Sequence, residues 1–355
     1  MEPFGAAEFA NPTGSHRASR IARRAVDEAR DEVAAILGVG PGEIVFTSGG
    51  TESDNTVILG AVRRHGGLAV TSAAEHHAVL HPVEHLGGVI VPVSSHGAIN
   101  LNQLEAVLSS QSDVRIVSVM AVNNETGVIS DLEAVASIVR RAAPNAILHS
   151  DAVQAASWID LKSITRTVDS ISLSAHKFGG PKGVGLTWLR AGVTVEPLMF
   201  GGGQERERRS GTHNVAGIVG LAAALNATVQ ELEAKTAEIQ ILRDHLVDSV
   251  SKQVGGVHEV APRAARIPGS AHVCIEGIES EALLFLLDQE GVYAAAASAC
   301  ASGAMEPSHV LAAMGVDPAL SRGALRMTLG HTTTAADIDR AIAVLVASIP
   351  RLRQG

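Results

Sequence analysis

The most pointed chemistry in this sequence is a lysine set between a β-rich run and a string of glycines. In SLSAHKFGGPKGVG (172–185) the apolar run ends at Ser174, His176 and Lys177 follow, and glycines with a proline break any helix. A lysine held at a strand end beside such a turn can present its amine into a site. Desolvation and neighbouring charge there lower its pKa and make it a nucleophile toward an aldehyde. Taken alone, the pattern favours an ordinary loop lysine near a tight turn. Upstream stands HSDAVQAA (149–156), where Asp151 directly follows the strand candidate AILHS. A carboxylate at a strand's carboxyl end can pair with a pyridinium nitrogen, and Gln154 one turn on can donate to a phenolic oxygen. The competing reading makes Asp151 the N-cap of a helix over 152–157. In FTSGGTES (46–53), Gly49, Gly50 and the Thr51 hydroxyl join a strand to a helix and form an anion cradle that suits a phosphate. A βα turn capped by Thr51 or Ser53 is the plainer alternative.

The elements that must position these residues alternate along most of the chain. The spacing of Ile21, Ala25, Ala29, Val33 and Ile36 predicts a helix over 18–37. Strand candidates are 43–48, 68–72, 88–93, 115–122, 146–150, 170–174 and 185–189, with helices running from 49 to about 64 and over 101–109, 131–142 and 152–157. Short apolar strands between helices argue for an α/β fold with a mainly parallel, seven-stranded sheet covered on both faces. Residues 214–253 read as one long, proline-free helix. Beyond it, strands at 271–278 and 323–329 with helices at 280–290, 308–314 and 334–348 suggest a small α+β domain. The expected boundary is near residue 235: a large domain over 11–235, a small one over 236–355, and residues 1–10 as a shortened N-terminal segment.

Composition narrows the function classes. The chain has 355 residues, a net charge of −9, 46% hydrophobic and 3% aromatic residues. Ala, Val, Leu and Ile must therefore build the core, and no broad basic surface for nucleic acid is expected. Arg17, Arg20, Arg23, Arg24 and Arg30 alternate with Asp27, Glu28 and Asp31, as on a solvated helix face. Two cysteines, Cys274 and Cys300, make a disulfide framework implausible. No apolar run looks long and unbroken enough to span a bilayer, and the N-terminus lacks a signal-peptide pattern. A soluble cytoplasmic protein with no membrane partner and no metal site is expected. Cys274 sits in a strand candidate and reads as a small buried hydrophobe. Cys300 lies in the small-residue stretch Ala294–Gly303, whose lack of apolar anchors predicts mobility.

Ten motifs then occur in one order: NPTGSH (11–16), FTSGGTESDN (46–55), EHHAVLHP (75–82), VNNETG (122–127), HSDAVQ (149–154), SAHKFGGPKGVG (174–185), GGGQERERRSGTHN (201–214), SACASG (298–303), EPSHVL (306–311) and LRMTLG (325–330). Together they resemble the group I, NifS/IscS-type cysteine desulfurases, class V aminotransferase relatives within the fold-type I pyridoxal 5'-phosphate (PLP) enzymes. The resemblance implies PLP as cofactor, with Lys177 as the Schiff-base lysine, Asp151 and Gln154 at the pyridine nitrogen and phenolic oxygen, and Gly50, Thr51, Ser174 and His176 at the phosphate. Thr212 would reach the phosphate from the other subunit of a homodimer. His76 would stack on the ring and relay protons, and Asn124 and Arg326 would hold the substrate carboxylate, a role that suits a guanidinium fork. Cys300 would attack the sulfur of L-cysteine, leaving L-alanine and a persulfide for an acceptor such as an iron–sulfur scaffold or a tRNA-thiolation protein.

Three positions depart from the pattern the resemblance implies. The strand and turn that precede NPxxxH in the family are absent, Glu207 replaces a glycine, and His213 stands where an acidic residue is common. The alternatives to a desulfurase are a PLP lyase acting on selenocysteine or cysteine sulfinate, an aminotransferase, and a truncated, inactive paralogue working through partner binding. Plain transamination has no need of Cys300.

Overall fold

A computed structural model of the chain describes residues 1–296 and 308–354. They form two compact units. The first comprises Met1–Val91, Leu101–Ala121 and Asp131–Leu232; the second comprises Pro92–Asn100, Val122–Ser130 and the residues from Glu233 onward. Two short segments, 92–100 and 122–130, thus pack with the C-terminal residues although the chain around them builds the first unit. Residues 1–10 pack with the first unit.

The first unit holds seven strands: β1 (Ile44–Thr47), β2 (Leu68–Ser72), β3 (Val89–Val91), β4 (Val114–Ser118), β5 (Ile147–Asp151), β6 (Ser170–Ser174) and β7 (Gly185–Leu189). Their order is β1-β7-β6-β5-β4-β2-β3. Every pair from β6 to β3 is parallel, whereas β7 runs antiparallel to both of its neighbours. The helices are α1 (Glu2–Gly5), α2 (Arg17–Leu37), α3 (Gly50–His65), α4 (His77–His85), α5 (Leu101–Ser110), α6 (Leu132–Ala142), α7 (Leu161–Thr167) and the start of α8 (Val215–Val254). Val57, Ile58 and Ala61 of α3 and Val79 and Val83 of α4 close over Val45, Ala69 and Ile116 of the sheet. β5 and β6 are buried along nearly their whole length, as strands covered on both faces must be. The second unit has an antiparallel sheet of β8 (Val257–Glu259), β9 (Ser270–Ile275) and β10 (Ala324–Thr328), ordered β10-β9-β8. Its helices are the rest of α8, then α9 (Ser280–Gln289), α10 (His309–Ala313), α11 (Pro318–Ser321) and α12 (Ala335–Gln354).

Several expectations change. No helix forms over 152–157. The Asp151 carboxylate accepts the Val153 N–H at 2.9 Å, and the next bonds, Ala155 N–H to Ala152 O and Trp158 N–H to Ala155 O, close single turns. Asp151 is the last residue of β5 and caps no helix. The strand expected over 115–122 ends at Ser118, because the Met120 N–H bonds to the Glu75 carboxylate. In α2 the buried stripe is Ala22, Val26, Ala29, Val33 and Leu37, rotated from the expected one. Both stripes have helical spacing, and packing against α7 and the turn before β1 selects between them. The expectation about apolar runs is also corrected: α8 is long and apolar enough to cross a membrane by length and composition. Leu221, Leu225, Ile239 and Leu246 on it are buried within the units.

Candidate active site

Strand direction gathers the chemistry at one edge of the first sheet. β5, β6, β4 and β2 are parallel, and β1 runs the same way as β6 across the antiparallel β7. The segments after β1, β2, β5 and β6 therefore leave from the same edge, which is where α/β sheets bind ligands. Lys177 lies in the single 3₁₀ turn Ala175–Phe178 after β6, and Asp151 ends the neighbouring β5. The glycine turn at 49–50 follows β1. Gly185 of β7 makes room for that turn, since a Cβ there would come within 2.7 Å of the Gly49 Cα. Gly50 opens α3 against the Val153 side chain, whose Cγ2 lies 2.7 Å from where a Cβ would stand. No side chain caps α3, so neither Thr51 nor Ser53 acts as its cap. Ser53 pairs instead with the Thr47 hydroxyl at 2.7 Å. The uncapped N–H groups and the helix dipole form an anion cradle. Ser174 Oγ lies 2.9 Å from His176 Nδ1 in the adjoining turn. Gln154 is half-buried in the turns after Asp151.

His76 is the N-cap of α4, and its Nδ1 accepts the Ala78 N–H at 3.0 Å. A neutral ring held this way carries its proton on Nε2. The residue before it, Glu75, is fully buried; its carboxylate accepts the Met120 N–H at 3.0 Å and the Ser72 hydroxyl at 2.7 Å. Burial pushes Glu75 up to about 8. Burial likewise raises Asp151, to about 6, while the Val153 N–H and the nearby Lys177 charge pull it back down. His149, two residues before Asp151 and so on the same face of β5, is held neutral by burial, down to about 3. Its Nδ1 meets Ser118 Oγ at 2.8 Å and its Nε2 meets Ser172 Oγ at 3.1 Å. Asp54, on the buried face of α3, completes this layer and is raised well above the usual carboxylate range by burial and by the Asp151 charge. Sequence reasoning passed over Asp54, Glu75 and His149. Two spacings pointed to them: His149 shares strand parity with Asp151, and Asp54 precedes Val57, Ile58 and Ala61 by three, four and seven residues.

The segment carrying Thr212 is fixed by an ion network. Glu205 is buried; it accepts Arg30 Nη1 and Nη2 at 3.0 and 2.6 Å and the Phe46 N–H at 3.0 Å, and pairs with His213 Nε2 at 2.8 Å. Although burial opposes ionisation, these partners hold its carboxyl down at about 2. Arg209 pairs with Glu52 in the first turn of α3 at 2.8 Å, tying the segment to the anion cradle. Glu205, Arg206 and Glu207 have φ of 48°, 57° and 64°. Glu207, the residue that replaces a glycine, therefore sits in the left-handed region where glycine is unstrained. Thr212 itself is exposed on this chain.

Asn124 and Arg326 belong to the second unit, and there they lie together: Arg326 on β10 donates to the Asn124 carbonyl at 3.1 Å. Ser270 on β9 holds the Thr126 carbonyl at 3.0 Å, which explains why segment 122–130 packs with this unit. Beside it, Ser308 Oγ donates to the Glu125 carboxylate at 2.5 Å and caps α10 by accepting the Leu311 N–H. Among the described residues the Asn124 side-chain oxygen is buried without a hydrogen-bond partner. Cys274 is 1% exposed on β9, and burial pushes its thiol up to about 11, as suits an inert core residue. Cys300 lies outside the described residues.

These donors fit pyridoxal phosphate. A buried carboxylate suits a ring nitrogen, an amine within its electrostatic reach suits an aldehyde, and an uncapped helix start flanked by Ser174 suits a phosphate. The sequence profile described as aminotransferase class-V matches residues 1–341. An IscS-like cysteine desulfurase of Mycobacterium tuberculosis is 42% identical over 357 residues, covering 97% of this chain and 90% of that protein. A cysteine desulfurase IscS of Dictyoglomus turgidum is 39% identical, covering 99% and 91%. A solved structure titled NifS-like protein superposes with a TM-score of 0.92 at 36% identity, covering 99% of this chain and 94% of that one.

Proposed function

This chain belongs to the class-V aminotransferase family, and from that membership together with the Lys177–Asp151 edge we infer that it is a PLP-dependent cysteine desulfurase. The observation that carries the reading is the meeting of Lys177 with a buried carboxylate at the carboxyl edge of a parallel sheet. Bound PLP supplies the electron sink that weakens bonds at the substrate's α and β carbons. Lys177 would hold the cofactor through its Nζ, and the same amine would take and return a proton. Asp151 would pair with the ring nitrogen and Gln154 with the phenolic oxygen, and His76 would stack on the ring. Gly50, Thr51, Ser174 and His176 would hold the phosphate. Asn124 and Arg326 orient the substrate through its carboxylate. The Cys300 thiolate attacks the sulfur of L-cysteine; the S–S bond forms, the C–S bond breaks, and its electron pair goes to the β carbon, which gains one proton to give L-alanine.

A homodimer belongs to the same reading, supported by the exposure of Thr212 on its fixed segment. Delivery of the persulfide to an iron–sulfur scaffold or a tRNA-thiolation protein is supported by the IscS-type relatives. A cytoplasmic location is supported by a composition of only two cysteines, one of them a buried strand residue. Anaerobic assay of sulfide and alanine from cysteine, with excess dithiothreitol to reduce the persulfide to thiol and sulfide, tests the core of the proposal. The parent should form both in equal amounts. Lys177→Ala should lose the visible absorbance of lysine-bound cofactor, and Cys300→Ser should lose sulfide release. Sulfide release by Cys300→Ser as fast as by the parent would refute the persulfide route.

A further inference from the structure

Three fully buried carboxyl groups lie in the first unit behind the candidate site, and the reaction described above uses only Asp151. The register of the sheet sets Ser118 of β4 beside His149, and Ser172 of β6 beside Asp151. Asp54 enters this row from α3: its Oδ1 lies 3.6 Å from His149 Nε2 and makes no hydrogen bond, while Ser172 is a hydrogen-bonding neighbour. The buried basic side chains among the described residues, Arg243 and Arg266, both belong to the second unit. The cation acting on Asp151 is Lys177. His149 is neutral and gives no countercharge. Like charges in so dry a space cannot all ionise.

We propose that Asp54 carries a proton in the working enzyme and, through the Ser172 hydroxyl and the neutral His149 ring, acts as a positioning residue that leaves the negative charge on Asp151, facing the ring nitrogen of the cofactor. The proposal rests on the cofactor assignment above. Asp151 is the member of the acidic pair with the backbone N–H of Val153 and the Lys177 charge to stabilise its anion. Asp54 has an oxygen with no hydrogen-bond donor, as expected of a carboxyl that needs none. A proton on Asp54 faces the His149–Ser172 pair and helps to set which ring nitrogen of His149 carries hydrogen.

Two measurements on the full-length protein test this. The first is the carboxyl-stretch infrared spectrum of the protein labelled with ¹³C-aspartate, recorded at pH 8, well above the value of about 6 for Asp151, with and without PLP. A protonated aspartic acid band is expected in both forms and should vanish in Asp54→Asn; its absence from the parent overturns the proposal whether or not the variant folds. The second is the pH titration of the lysine-bound cofactor's visible absorbance. Asparagine matches the shape and charge of a protonated aspartic acid, so Asp54→Asn should move the acid constant by less than threefold. Loss of a real negative charge beside the ring would move it further, and such a shift overturns the proposal. A parent that shows no cofactor absorbance sinks the cofactor assignment instead, and the infrared result on the protein alone still decides the state of Asp54.

Discussion

Replacing Glu205 with glutamine removes one charge from the tightest ion network in the first unit while keeping the side chain's size. The carboxylate is 6% exposed and is surrounded by Arg30, the Phe46 N–H and His213. Those partners hold its pKa at about 2 against an ordinary 4.5. At ~1.4 kcal/mol per pH unit, that difference corresponds to ~3 kcal/mol of stability near neutral pH. Because the folded-state value is depressed, the contribution is complete above pH 4.5 and declines as pH falls toward 2. Glutamine does not titrate and leaves Arg30 short of its countercharge, so Glu205→Gln should cost ~3 kcal/mol at pH 7. At pH 3.5 the gap between the parent and the variant should narrow to ~2 kcal/mol. Urea unfolding followed by tryptophan fluorescence measures this, since Trp158 and Trp188 both lie in the first unit. A cost below ~1 kcal/mol at pH 7, or a gap that widens as pH falls, would refute the reasoning.

Two further predictions concern the same segment and the carboxylate pair. Glu207→Gly should relieve a left-handed strain of ~1–2 kcal/mol and add backbone entropy worth ~0.4–1 kcal/mol to the unfolded chain, for a net gain of ~0–1.6 kcal/mol. A loss in urea unfolding would mean that the Glu207 side chain contributes more than its backbone costs. Arg326→Gln should raise the KM for cysteine ~10–100-fold with a smaller fall in kcat, because a hydrogen bond to a charged group is worth ~1.5–3 kcal/mol. An unchanged KM in steady-state alanine production would remove Arg326 from substrate binding.

Much of the first unit was legible because period-2 and period-3.6 patterns report burial directly. The strands at 68–72, 170–174 and 185–189 have the expected limits, and the lysine turn follows β6 as its glycines require. The helix expected over 152–157 is replaced by short turns, Ala155 N–H to Ala152 O and Trp158 N–H to Ala155 O, even though Asp151 holds the Val153 N–H as an N-cap would. Local pattern registers the cap and not the turns that follow it. Strand β4 was expected to run on to 122 because the carboxylate that captures the Met120 N–H belongs to Glu75, 45 residues away. The rotated stripe of α2 shows the same limit: two apolar faces were present, and the neighbours chose one.

By itself the sequence determined the alternation of elements and the order of ten motifs, and through that order the family resemblance. Those are properties of residue type and spacing, which covalent order specifies directly. Only the tertiary structure decided that segment 122–130 packs with the C-terminal unit, that three left-handed residues shape the turn before Thr212, and that Asp54, Glu75 and His149 sit buried behind Asp151. Charge states and chain paths of that kind depend on which distant groups are excluded from water together, and exclusion from water is a property of the packed molecule.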